Sequence, residues 1–223
     1  MSSQASGDFF EQHAEPLSDR IAVALSKIGL ALKQQATRSA GEHGLSPTQA
    51  QILALLQAEA RLRPTDLAAK LGVSLATVSE SAKTLVSKGL LSKTPDERNA
   101  RATLLTLTKS GKASARTASD WPDFLASAVD CLSDTEQEAF LQTLLKMIRT
   151  LQERGEIPIA RMCVTCKFFR PFQHPGDRPH HCALVNAAMG TRHLRVECAE
   201  HEAAFPEAQA ATWRTFIAGP PAK

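Results

Sequence analysis

A chain of 223 residues, 43% hydrophobic and with a formal net charge of +3, is long enough for one sizeable domain with an appendage or for two small domains. No apolar run approaches the ~20 residues of a membrane-spanning helix. The opening MSSQASGDFFEQHAEP lacks the basic and apolar regions of a secretion signal. These features argue against an integral membrane protein and predict a cytoplasmic one, in which clustered cysteines favour metal or redox chemistry over disulfides. Charge is spread unevenly. Residues 61–116 hold eleven Lys and Arg against four Asp and Glu, whereas 1–60 and 117–155 are each net acidic. Such a basic block suits a polyanion, with a solvated face lacking any partner as the alternative.

Residues 1–16 read as a flexible N-terminus. Leu17, Ile21, Leu25, Ile28, Leu32 and Ala36 then recur at helical spacing, with Ser18 or Asp19 as the cap and Gly41 and Gly44 as the stop. Ser46-Pro47-Thr48-Gln49 reads as a capping box opening a helix that carries Ile52, Leu53, Leu55 and Leu56. The stretches PTDLAAKLG and SLATVSESAKTLVSKG predict two helices joined by a tight turn at Gly72 and Val73. Ser74 caps the second and Gly89 stops it.

LLSKT and ATLLTLT are β-prone runs separated by the polar PDERNAR, which predicts a hairpin. A helix-turn-helix followed by a hairpin is a winged helix, and an arginine-bearing tip suits a narrow minor groove. Thr108 opens a further helix, interrupted at Trp121-Pro122. Ser133 and Glu136 form a second capping box, starting a helix with Phe140, Leu141, Leu144, Leu145, Ile148 and Leu151 on one stripe.

This order of elements resembles the MarR family of winged-helix repressors over roughly residues 17–154. The resemblance is carried by PTDLAAKLGVSLATVSESAKTLVSKGLL, by the loop DERNAR from Asp96 to Arg101, and by LTLTKSG. It implies a mainly α fold with a small β-hairpin wing: a winged helix-turn-helix with a helical dimerisation region and, here, an added Cys-rich tail. Residues 17–45 and 117–155 are the expected dimerisation helices, 46–116 the DNA-binding part and 156–223 the tail. The family implies a homodimeric repressor that binds double-stranded DNA and, in many members, a small-molecule effector.

On the 74–88 helix, Leu75, Val78, Ala82, Leu85 and Val86 are expected to point inward, leaving Ser87 on the outer face. Ser74, Ala76, Thr77, Glu80, Lys83 and Thr84 are the candidate DNA-contacting residues there, joined by Arg98 and Arg101 from the wing. Arg101 matches the family's wing arginine. Asn99 stands where an acidic residue is usual, and Glu80 and Thr84 stand where arginine is frequent, so the base preference differs from the family pattern.

The tail carries Cys163, Cys166, Cys182 and Cys198, a C-x2-C-x15-C-x15-C ligand set. Four thiolates with one close pair suit zinc, or alternatively a [2Fe–2S] cluster. His181 and His201 are the residues able to replace one thiolate. His174, His180 and His193 are expected at the surface, and Phe168, Phe169 and Phe172 around the site. Such a metal either holds the small tail together or senses redox or metal state. Cys131 is expected as a buried apolar residue. The competing function, a cytoplasmic thiol- or metal-handling enzyme, lacks any accompanying catalytic constellation, and four Cys would close the coordination sphere.

Overall fold

The computed structural model describes residues 14–96, 99–118 and 123–220. Much of the expected flexible N-terminus, Arg98 and the break at Trp121-Pro122 lie outside the described residues. The chain divides into two compact units: Met1–Leu67 with Leu75–Ala126, and Ala68–Ser74 with Ser127–Lys223.

The first unit opens with α1, Leu17–Glu42. Pro16 precedes it and gives no side-chain cap. Ser18, one of the two expected caps, lies inside the first turn and donates to the neighbouring Asp19 carboxylate at 3.2 Å. Gly41 is helical, and the stop falls at Gly44, whose φ of 64° is left-handed. Leu17, Ile21, Val23, Ile28 and Leu30 remain exposed along α1.

Helix α2, Pro47–Glu59, begins with the expected box: Gln49 N–H donates to Ser46 Oγ at 3.2 Å, and Ser46 N–H to Gln49 Oε1 at 3.2 Å. Its Ile52, Leu53 and Leu56 are buried and form the centre of the unit. Around α2 pack α1, α4 (Leu75–Ser87), α5 (Lys109–Ala118) and strand β3 (Asn99–Leu107).

Helix α3, Pro64–Leu71, precedes α4 across the expected turn, where Gly72 takes a φ of 64°. The wing pairs β2, Leu91–Asp96, antiparallel with β3, and a bulge lies between Pro95 and Asp96. Both strands reach further into PDERNAR than the sequence suggested. A short strand β1, Arg61–Leu62, adds to the other edge of β3 through Arg61↔Thr106 and Leu62↔Leu105. Just beyond it, Arg63 Nε donates to Asp96 Oδ2 at 2.9 Å, fastening the buried Asp96 at the end of β2. Thr108 precedes α5 as expected, donating to the Gly89 carbonyl at 2.7 Å and accepting from Gly111 N–H at 2.9 Å.

Helix α6, Asp123–Val129, leads into the second unit. There α7, Asp134–Glu153, starts with the second expected box. Ser133 N–H donates to Glu136 Oε2 at 2.9 Å and its hydroxyl at 2.6 Å. The Ser133 hydroxyl, and then its N–H, hold the Glu136 carboxyl below its ordinary value. A depressed carboxyl stabilises the fold above the ordinary value of 4.5, and this stabilisation is lost as pH falls through the folded value. Glu136→Ala is therefore expected to lower the melting temperature at pH 7, with the gap from wild type narrowing as the buffer is acidified below the ordinary carboxyl value of 4.5.

Leu145 of α7 joins Met162, Val164, Phe169, Leu194 and Phe216 in the core of this unit. The tail is more regular than its loop-rich sequence suggests. Strands β4 (Phe169–Arg170), β5 (His180–Cys182) and β6 (Ala187–Met189) form an antiparallel sheet in that order, and α8, Pro206–Ala218, closes the chain. None of the described helices is long and apolar enough to cross a membrane.

Candidate functional site

Two sites emerge, one in each unit. In the first, Val78, Ala82 and Leu85 anchor α4 in the core as expected, and Val86 is half-buried. Leu75 departs from that set at 48% exposure, since it opens the helix before the core-facing stripe begins. Ala76, Thr77, Glu80, Lys83 and Ser87 are exposed, as is Ser74, which precedes α4 and belongs to the second unit. Thr84 is half-buried and its hydroxyl turns back to donate to the Glu80 carbonyl at 3.1 Å. Ser79 is exposed too, between Ala76 and Lys83. Sequence reasoning missed it, although its i+3 spacing from Ala76 places it on the outer face. Arg101 lies in the backbone of β3.

In the stretch from Arg61 to Arg116, the exposed basic side chains of this unit include Arg61, Lys83, Lys88, Lys93, Lys109, Lys112 and Arg116. Arg61, Lys112 and Arg116 also border a groove of about 820 Å³ whose apolar wall includes Leu56, Pro95 and Leu107.

The second site is built by the tail. Cys163 starts a short 3-10 turn, Cys163–Thr165, that carries the chain round to Cys166. Cys182 ends β5 opposite Phe169. Cys198 is placed by its N–H, which donates to the Arg161 carbonyl at 3.1 Å. All four cysteines are free thiols, and all four line one cavity of about 230 Å³. Phe168 and Phe169 line it as expected, together with Leu184, Val185 and Met189. Phe172 does not: it stacks on Phe216 at 6.5 Å and packs against His180 at 4.9 Å.

Burial pushes the Cys163 thiol up, Arg195 N–H opposes this by donating to its sulfur at 3.2 Å, and Cys198, Cys166 and Cys182 push it up further. The Arg195 guanidinium approaches Cys198 Sγ at 3.9 Å. Among the described residues, no three Cys, His, Asp or Glu side chains are drawn together as a ligand set for one ion.

The histidines differ from expectation in an instructive way. His180 is fully buried, because alternation along β5 puts it on the same face as Cys182, against Phe169, Phe172 and Phe216. Burial lowers its pKa to about 4, so the ring is neutral. Phe172 N–H donates to its Nδ1 at 3.4 Å, while Nε2 is buried and meets no hydrogen-bond partner among the described residues. His181 faces the other way and meets His174 at 3.1 Å; His201 is held by Thr165 at 3.0 Å. Neither His181 nor His201 lines the cavity, whereas the exposed His193 does. Cys131 is exposed rather than buried.

Residues 43–102 match the family model of the MarR family. The matched stretch contains α2, α3, α4 and β2, so the winged helix of the first unit is MarR-like, and MarR family members are DNA-binding regulators, not enzymes. The match ends before the four tail cysteines.

Among solved structures, a Staphylococcus aureus MepR–DNA complex is 25% identical, with 58% of this chain and 97% of that chain covered and a TM-score of 0.52. The Bacillus subtilis YusO protein is 21% identical over 61% of this chain and 97% of that one, with a TM-score of 0.48. A mutant Escherichia coli MarR complexed with operator DNA is 22% identical over 60% and 99%, with a TM-score of 0.49. No curated protein matches the chain.

Proposed function

We propose that this protein is a homodimeric DNA-binding transcriptional repressor whose tail carries a metal site. The observation that carries the reading is the exposed polar face of α4, inside the MarR-matched segment and beside a strand pair that forms a wing. The likeness to the MepR–DNA complex supports the same assignment. In it α4 enters the major groove, where Ser74, Ala76, Thr77, Glu80, Lys83 and Thr84 meet base edges or phosphates. Glu80 accepts from a cytosine amino group, and Lys83 offsets its repulsion of the phosphates. Arg98 and Arg101 of the wing reach the minor groove.

Leu17, Ile21 and Ile28, exposed along one face of α1, are the surface a second copy covers. A symmetric pair reads half-sites one helical turn apart. The groove bordered by Arg61, Lys112 and Arg116 suits a small organic anion as effector, with an apolar body against Leu56 and Leu107. In the tail, Cys163, Cys166, Cys182 and Cys198 are the metal ligands, supported by their common cavity. A thiol-handling enzyme, the competing reading, has no likeness among the comparisons to match the MarR-matched segment and the MepR–DNA complex.

The test uses a duplex selected from a random pool with the wild-type chain. Arg101→Ala is expected to weaken binding about tenfold or more and to flatten the dependence of affinity on salt. Unchanged affinity and an unchanged salt slope would remove the wing from the DNA interface.

A further inference from the structure

We infer that Arg63 is a positioning residue for the wing: its guanidinium struts the outer end of the hairpin, and with it the backbone at Arg101, against the start of α3. The inference rests on the reading that the wing touches DNA and names what aims it. The hairpin needs a strut because its own pairing is weakest near the tip. Strand β1 supports only the base of β3, at Thr106 and Leu105. Further out, β2 is the one strand paired with β3 among the described residues, and a two-stranded ribbon is marginal by itself in water. Pro95 brings no N–H to the ladder, and the register shifts directly after it: Pro95 pairs with Thr103, but Asp96 with Asn99. One peptide step on β2 therefore spans Ala100, Arg101 and Ala102 on β3. Arg101 lies within that bulge, where regular pairing does not set the course of the backbone.

Asp96 marks the outer end of the bulge, and Arg63 holds it. Nε and Nη2 of Arg63 both donate to Asp96 Oδ2, the Nε bond at 2.9 Å. The Asp96 side chain is 8% exposed and that of Arg63 40%. The carboxylate is thus the buried partner, and a guanidinium that still reaches water offsets its burial. Two N–H groups on one carboxylate fix direction as well as distance, which a lysine ammonium does less well.

The other end of the strut is fixed through the backbone. Arg63 N–H donates to Asp66 Oδ2 at 3.2 Å, and the Arg63 carbonyl accepts from the N–H groups of Asp66 at 3.0 Å and Leu67 at 3.1 Å. Leu67 is fully buried, so the start of α3 is anchored in the interior. With Arg63 replaced by Met, the buried carboxylate gains by turning out to water, and the strand end that carries it turns with it.

The experiment uses the full-length chain and a duplex selected with the wild type. Arg63→Met, Asp96→Asn, Arg101→Ala and the double variant Arg63→Met with Arg101→Ala are compared in duplex affinity. Without DNA, the rate of tryptic cutting between β2 and β3 is followed by mass spectrometry. Arg63→Met and Asp96→Asn are each expected to be cut several-fold faster there and to bind about tenfold more weakly. Adding Arg101→Ala to Arg63→Met costs less than about twofold more, since an unaimed arginine has little left to lose. Asp96→Asn separates the strut from simple charge: it makes the chain more basic, so plain attraction to phosphates predicts tighter binding instead. Arg63→Lys is the milder variant should Arg63→Met fold poorly by circular dichroism, with the same changes expected at smaller size. Unchanged cutting, losses at Arg63 and Arg101 that multiply, or tighter binding by Asp96→Asn overturns the strut and leaves the wing at the DNA. No loss from Arg101→Ala alone overturns both.

Discussion

Gly111→Ala is expected to destabilise the first unit by about 3 kcal/mol, enough to abolish duplex binding at moderate temperature. The reason is space rather than backbone conformation. A Cβ at Gly111 would stand 1.9 Å from the Leu90 carbonyl oxygen and 2.9 Å from its carbon. The obstacle is backbone, which cannot rotate aside as a side chain can. Leu90 is further held because its carbonyl accepts from Thr108 N–H at 3.1 Å. Relief therefore requires α5 to lift away from the start of the wing, dismantling the junction that Thr108 ties together. Gly89→Ala is the control. Gly89 has a φ of 69°, and a methyl group there would meet nothing within 4 Å. Only the left-handed backbone opposes that change, at about 1 kcal/mol. Urea unfolding of both variants should separate them clearly. A Gly111→Ala chain as stable as Gly89→Ala would contradict the packing described at the base of the wing.

The second large effect is expected at Phe216, in the last helix. Its ring is fully buried and lies 5.8 Å from Trp213, 5.9 Å from His180 and 6.1 Å from Phe169. Truncation to Ala leaves a cavity among rings that are fixed by β4 and β5, so little collapse can offset it; a loss of about 3–5 kcal/mol follows. Trp213 emission reports the event directly in a Trp121→Phe background, because Trp213 stacks on Phe216. Phe205→Ala, at a position 82% exposed, should stay within about 0.5 kcal/mol of the parent. Equal effects at Phe205 and Phe216 would contradict the assignment of α8 to the core of the tail.

These two residues also mark what was legible in the sequence. The winged helix was legible because its signals are local. The capping box at Ser46, the apolar spacing of α2 and α4 and the polar break between two β-prone runs each act within a few residues. Strand β1 was not legible, since two residues carry no periodicity and Arg61 and Leu62 become a strand only by pairing with Thr106 and Leu105. The tail sheet was hidden for the same reason, its strands being two or three residues long.

Helix α8 left weak marks: Pro206 at its first turn and Gly219 beyond its end are helix boundaries that could have been read. Its apolar face is little more than Trp213 and Phe216, however, and Ile217 and Phe205 are exposed. At the thiol site the four ligand candidates were legible from spacing alone. The burial of His180 was not, because only the pairing of β5 between β4 and β6 decides which of two adjacent histidines turns inward.

The central claim is that two copies of this chain grip one DNA duplex through their basic winged helices. Sedimentation of the full-length protein with a pool-selected duplex, over a range of salt, tests it most directly. The account predicts two chains per duplex, with the logarithm of the affinity falling linearly as the logarithm of salt concentration rises. Single chains at micromolar concentration, passing every duplex unbound even in dilute buffer, would contradict it.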